Sequence, residues 1–244
     1  LIINLIYRLV DQSKMLFMLP LDTINDWSSY VSLLYFLDVC GFHNSCPYWF
    51  NGFTSFQLTP PGWYFFTYPI LLLVKDYLKA TFISSILIFF IAFFTIYKFG
   101  KTNNFNLRDR LIFFLLLFAN AAAIGNYTRL GRITEFLSFV LFIIIAFTIL
   151  YYKDKRLNWS FVLIIPVYSL LLITHQTFAI LTSLLFISIF LIKDNKQKAI
   201  ITGLVLTSLF LISFWLIPYV QNFFNSGGVN EPIGMNILSF EKEY

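Results

Sequence analysis

Two carboxylates, Asp22 and Asp26, stand in the stretch Leu21-Asp22-Thr23-Ile24-Asn25-Asp26-Trp27-Ser28-Ser29-Tyr30. A carboxylate beside a substrate hydroxyl can act as a general base. A pair of them could instead hold a divalent cation, although two acids make a weak metal signal. Asp26 also reads as the N-cap of a helix over Trp27–Leu37, bonding the amides of its first turn. Far downstream, Arg129 and Arg132 lie in Asn126-Tyr127-Thr128-Arg129-Leu130-Gly131-Arg132-Ile133-Thr134-Glu135. If that turn is helical, the two arginines share a face, and guanidinium forks there would suit a phosphate or pyrophosphate. The plainer reading is an Arg132–Glu135 ion pair at a surface, with snorkelling side chains.

His175 and Gln176 interrupt a long apolar run at Thr174-His175-Gln176-Thr177. A histidine there can be structural, bonded to a nearby carbonyl, yet ionisable groups at membrane depth are functional candidates by default. The aromatic stretches around Trp49 and Trp63 either sit at a bilayer interface, where Trp and Tyr gather, or form platforms for sugar faces. Cys40 and Cys46 are the only cysteines, and their spacing permits a disulfide in an oxidising compartment. With His43 they lack a fourth ligand for zinc. No Gly-rich phosphate loop and no G-x-S-x-G is present, so ATP-driven chemistry has no support.

The elements that would position these groups follow from composition. Hydrophobic residues make up 59% of the 244 residues, charged residues only 12%, and Phe occurs 31 times. Mean hydropathy is +0.77. Soluble domains carry roughly 25% charged residues, so the expectation is an all-α, polytopic integral membrane protein. A helix needs about 17–20 apolar residues to cross, and six segments approach that. They are Thr81–Tyr97, Leu111–Tyr127, Ile133–Tyr152, Trp159–Thr174, Thr177–Ile192 and Ala199–Val220. Trp159–Ile192 is too long for one crossing and must fold back at the His175 turn.

Charge then assigns sides. Ten of the 17 Lys and Arg residues fall in three short stretches (Lys98–Arg110, Lys153–Arg156 and Lys193–Lys198) with only three acids. The remainder has seven bases against nine acids. Basic loops mark the cytoplasmic face, which explains the net charge of +5 without a nucleic-acid partner. By parity, residues 11–80, the Gly125–Arg132 turn, the His175 turn and residues 221–244 are extracytoplasmic. Trp63–Val74, at twelve residues, is too short to span and is expected at the outer surface. Leu1–Val10 reads as the end of a preceding helix. Gly227-Gly228 and Pro232 argue for loop after Val220.

The stretches Asp22–Tyr30, Gly41–Gly52, Pro60–Phe66 and Gly131–Glu135 resemble the GT-C superfamily of polytopic glycosyltransferases. Within it the pattern is most similar to the prokaryotic membrane proteins labelled "6-pyruvoyl-tetrahydropterin synthase-related". The resemblance implies inverting transfer of a sugar from a polyprenyl-phosphate donor to a glycan, lipid or protein acceptor at the outer leaflet. It implies Asp26, or Asp22, as the base, and Arg129 and Arg132 as the groups neutralising the departing lipid phosphate. Glu135, His175, Gln176, Trp49 and Trp63, marked out by the residues themselves, are expected around the substrate, with a divalent cation as an open question. The chain departs from the family in lacking a tight Asp-x-Asp motif. The pterin label fails on chemistry, because soluble pterin synthases use three zinc-binding histidines and only His43 and His175 are present.

Two other classes compete. A transporter or flippase would carry ionisable groups near the bilayer midplane and interrupted helices in repeated halves. A non-catalytic membrane protein would need no carboxylate–arginine arrangement at one surface.

Overall fold

The computed structural model describes residues 1–17, 26–48 and 52–225. Asp22, Trp49 and residues 226–244, each part of the expectations above, lie outside them. The chain is mostly helical, as composition demands. Helix α1 spans Ile2–Gln12 and α2 spans Trp27–Cys40. Strands β1 (Ser45–Cys46) and β2 (Phe53–Thr54) pair antiparallel in a two-residue register, a small β ribbon where only loop was expected. Then follow α3 (Gly62–Val74), α4 (Tyr77–Thr102), α5 (Leu107–Phe118), α6 (Ala121–Ile124) and a π-helical turn over Gly125–Arg129. The remainder is α7 (Ile133–Tyr152), α8 (Trp159–Val162), α9 (Ile164–Leu172), α10 (Gln176–Ile192), α11 (Asn195–Leu211) and α12 (Ser213–Asn225). Helix α12 runs to Asn225, so Gln221–Asn225 is helical where a loop was expected.

Among the described residues two helices, α4 and α7, are each long and apolar enough to cross a membrane. Two further pairs pass the same criterion together but are bent: Leu107–Phe118 with Ala121–Arg129 by 52°, and Asn195–Leu211 with Ser213–Asn222 by 71°. The first bend falls at Asn120. Its amide donates to Leu116 O at 2.7 Å and its carbonyl caps Ala123 N at 2.9 Å, so one side chain ends one helix and starts the next. Beyond the second bend, Trp215 donates its indole N–H to Phe56 O at 3.1 Å, which ties α12 to the segment before α3. Each place carries a single polar residue, Asn120 and Ser213, within an otherwise apolar run, too little for hydropathy alone to mark a bend.

Helix α7 is the centre of the bundle and packs on α4, α9 and α10. Its buried residues run through Ile133, Phe136, Leu137, Val140, Ile143, Ile145 and Ile149, on more than one face, as expected for a helix surrounded by others. Helix α4 buries Ala80, Ser84, Ser85, Ile88 and Ala92 toward its neighbours. Small residues at such a contact let backbones approach closely. Phe89 meets Phe136 at 4.5 Å and Phe99 stacks on Phe147 at 3.8 Å, so aromatic rings fill the α4–α7 seam. Leu87, Phe90 and Phe94 of α4, and Ile180, Leu184 and Ile187 of α10, face outward and are exposed.

Asp76 caps α4, its carboxylate accepting from Lys79 N at 2.9 Å. That backbone N–H holds the Asp76 carboxyl below its ordinary value, with Lys79 side-chain contacts adding to the effect. Asp76→Ala is expected to cost about 1 kcal/mol, the usual worth of such a cap, and Asp76→Asn very little. A carboxylate with a depressed folded-state pKa stabilises above its unfolded pKa and loses that contribution as pH falls through the folded value. The Asp76→Ala deficit should therefore be full at neutral pH and shrink below about pH 4. Thermal melts of wild type and both variants across that range provide the measurement.

At the opposite end of α7, Lys193 donates to three backbone carbonyls, Tyr152 O at 2.7 Å, Lys153 O at 2.8 Å and Lys155 O at 2.7 Å. The first belongs to the last residue of α7, where a helix leaves its carbonyls short of partners, and the other two to the loop that follows. One lysine of the basic stretches is thus a helix cap and not only a charge.

Candidate functional site

The 126–135 segment and the start of α2 fold against each other. Gly131 adopts φ +73°, reversing the chain between the π-helical turn and α7. Asp26 N donates to Leu130 O at 2.8 Å, and the Trp27 indole N–H donates to Thr128 O at 3.0 Å. These two bonds bring Asp26 beside the Arg132 region across a sequence gap of a hundred residues. Asp26 precedes α2 but does not cap it with its side chain. Its backbone is helical (φ −88°, ψ −6°), and not in the extended conformation that swings an N-cap side chain over the first-turn amides. The expected cap is corrected accordingly, and the Asp26 side chain is exposed.

Arg129 and Arg132 do not lie along one helical turn, because Gly131 interrupts the helix between them. Arg132 pairs with Glu135 at 3.6 Å, and Arg129, at the end of the π-helical turn, is exposed. Tyr30 links this charged group to the interior. Its hydroxyl shares a hydrogen bond with Thr134 Oγ1 at 2.9 Å. Burial pushes its pKa up, the Thr134 bond opposes that, the nearby Asp26 and Glu135 carboxylates push up as well, and Arg132 pulls down. Asp26, Glu135 and Arg132 therefore all act on one phenol, which stays protonated at neutral pH.

Behind Tyr30 lies a cavity of about 390 Å³. One wall is Tyr30 and Thr134, a second is Pro60 and Tyr64 at the entry to α3, and the third is the turn containing Thr174, His175 and Gln176. The last two walls are fixed to each other by Gly62. Its N–H donates to Ile173 O at 2.7 Å, and a Cβ there would fall 2.8 Å from that oxygen and 2.9 Å from Thr174 Cα. Only glycine permits this approach. Two residues of its walls each bury a polar atom without a hydrogen-bond partner, the Tyr64 hydroxyl and His175 Nδ1, both closed off from the cavity. Gln176 Nε2 donates to Tyr219 OH at 2.7 Å, leaving its carbonyl oxygen available. Burial pushes the Tyr64 phenol well up, so it remains a donor.

His175 and Gln176, marked out in the sequence, thus line one cavity, while Asp26, Arg132 and Glu135 cluster at its Tyr30 side. Trp63 does not join them. It is fully buried, packed 5.6 Å from Tyr30 and 5.0 Å from Tyr64, and offers no face to a sugar. Its interfacial composition pointed outward, but ring packing turned it into core. Tyr30, Tyr64 and Thr134 were missed as lining residues. All three stand within or beside the marked motifs, yet nothing in a sequence distinguishes a tyrosine facing a cavity from one at an interface. Among the described residues, no three His, Cys, Asp or Glu side chains gather as a cation site. Cys40 and Cys46 are joined in a disulfide, with Cα atoms 5.4 Å apart.

No family model matches the chain, and no curated protein or solved structure matches it significantly.

Proposed function

We propose that the chain is a membrane glycosyltransferase of GT-C type, moving a sugar from a polyprenyl-phosphate donor to a glycan, lipid or protein acceptor at the extracytoplasmic face. The supporting observation is the docking of Asp26 on the segment that carries Arg132 and Glu135, through its N–H on Leu130 O and through the Tyr30–Thr134 hydrogen bond, beside a cavity that Tyr30 and Thr134 line. In this reading the Asp26 carboxylate takes the proton of an acceptor hydroxyl. The freed oxygen attacks the anomeric carbon, and the bond from that carbon to the phosphate oxygen breaks with inversion. Polyprenyl phosphate leaves with the electron pair, and Arg132 stabilises its charge, with Arg129 as the second cation. Electrostatic stabilisation of this kind is usually the largest single contribution to catalysis.

The reading includes six crossings: α4, α7, the two bent pairs, and the shorter apolar helices Trp159–Leu172 and Gln176–Ile192. The three basic loops lie in the cytoplasm, and the exposed apolar faces of α4 and α10 meet lipid. Two arms of one experiment test it. An impermeant thiol reagent applied to intact, gently reduced cells should label Cys40 and Cys46, and membranes holding the protein should transfer sugar from a polyprenyl-phosphate donor. Labelling only after permeabilisation would reverse the sides, and absent transfer with folded protein would remove the enzymatic reading.

A further inference from the structure

Asp38, near the C-terminal end of α2, takes no part in the site above. It is exposed, and its carboxylate is held from two sides. Tyr68 of α3 donates its hydroxyl to Oδ1 at 3.1 Å, and Tyr77 of α4 donates to Oδ2 at 2.8 Å. A carboxylate can accept about four hydrogen bonds, so both oxygens keep capacity. Among the described residues no lysine or arginine pairs with it: the ion pairs belong to Asp11, Asp76 and Glu135. The stretches 18–25 and 49–51 contain neither residue type. The charge is fixed in place and open to a cation.

Aromatic rings stand beside it. Tyr35, three residues back on the same face of α2, meets Tyr77 edge-on at 5.5 Å and Tyr48 at 6.0 Å. Tyr35 and Tyr48 are both exposed, Tyr48 by 58%, and ring faces attract cations. Location then supplies the source of the cation. Tyr77 opens α4, whose 26 residues reach about 39 Å, more than the hydrocarbon core of about 30 Å. Where α4 crosses, its first residue, and Asp38 with it, meets the headgroup layer. Leu72 and Leu73 of α3, one turn beyond Tyr68, are exposed and suit the lipid chains below.

We propose that Asp38, with Tyr35, Tyr48, Tyr68 and Tyr77 around it, binds the primary ammonium of an ethanolamine phospholipid headgroup. The ammonium donates to the two carboxylate oxygens, and the exposed rings flank it. A trimethylammonium brings the same charge but has no N–H to donate. The assignment uses α4 as a crossing helix and needs no sugar transfer.

The test uses the purified chain in detergent micelles and calorimetric titration with short-chain phosphatidylethanolamine, phosphatidylcholine and phosphatidylglycerol, and with free ethanolamine. The ethanolamine lipid should bind about tenfold tighter or more than the other two lipids, the worth of a charge-assisted hydrogen bond. Asp38→Asn should lose about tenfold or more of that affinity, while its side-chain carbonyl still accepts from a phenol and holds the helices. Tyr35→Ala should lose about two- to fivefold, the worth of an exposed ring on a cation. Tyr35→Phe keeps the ring and should keep the affinity. A carboxylate that serves only to tie α2 to α3 and α4 would move the melting temperature in Asp38→Asn and leave lipid affinity alone, which overturns the proposal. Equal binding of the three lipids, or none, overturns it as well. Free ethanolamine binding as tightly as the lipid would make the ligand a soluble amine and overturn the lipid assignment.

Discussion

Asp26→Asn is expected to lower sugar transfer by about 10²–10⁴-fold, the usual cost of losing a general base, with no change in the amount of folded protein. Asp26→Ala should behave in the same way. This equality follows from the local geometry. If Asp26 capped α2, alanine would cost about 1 kcal/mol of stability and asparagine almost nothing, so the two variants would diverge in yield and melting temperature. The side chain makes no capping bond, and what fixes the residue is its backbone N–H on Leu130 O, which both substitutions keep. The measurement is transfer from a polyprenyl-phosphate donor in membranes, with folded protein quantified beside it. Full activity in Asp26→Asn would strip the residue of the role of base and pass it to Asp22, the other acid of that stretch.

Gly131→Ala should be the most damaging small substitution near the site. A Cβ at this position would lie 2.6 Å from Cδ1 of the Trp27 indole, with two more ring atoms at 2.7 Å. The indole cannot swing aside cheaply, because Trp27 is buried and its N–H is held by Thr128 O. Alanine must also adopt φ +73°. Left-handed backbone costs about 1–2 kcal/mol and overpacking about 1–3 kcal/mol, so a loss of roughly 2–5 kcal/mol is expected. Transfer should fall too, since displacing Trp27 displaces Asp26. Gly125→Ala is the matched control: nothing lies within 4 Å of its would-be Cβ and its φ is −56°, so it should be neutral. Thermal melts of both variants decide the point, and equal stability would mean that the Trp27–Gly131 contact is slack.

The parts of this architecture legible in the sequence are those marked by local chemistry. Helix α7 spans Ile133–Tyr152, the segment expected, because a glycine precedes it and a basic loop follows. The fold-back at Thr174–His175 was legible for a similar reason: polar residues interrupt a run too long for one crossing. The bends after Phe118 and at Ile212 were not, since apolar composition is the same on a straight path and a bent one. At the first, Asn120 is a cap-competent residue that a single Leu111–Tyr127 segment passes straight through. Asp26 shows a subtler limit. Residue type gave a cap, but the cap depends on a backbone torsion that contacts with the distant Leu130 decide. Trp63 and Tyr64 stand side by side in one aromatic stretch, and both rings became packing rather than interface. That outcome is set by how α3 meets the Ile173–Thr174 turn, a long-range contact.

Lys193 carries a consequence for the order in which the chain is made. The three carbonyls it satisfies belong to residues 152, 153 and 155, and it follows them by 38–41 positions. During synthesis the C-terminal end of α7 emerges well before the side chain that closes it. The return journey through α8, α9 and α10 must be complete before the ammonium arrives. Until then the end of α7 and the loop after it hold only their local bonds, among them Lys155 N–H on Tyr152 O and Tyr152 OH on Asn158 Oδ1, so this hairpin of helices is fastened last, at its base. A chain halted just before residue 193 would hold every apolar segment of the hairpin and still lack the one side chain that ties its two ends together.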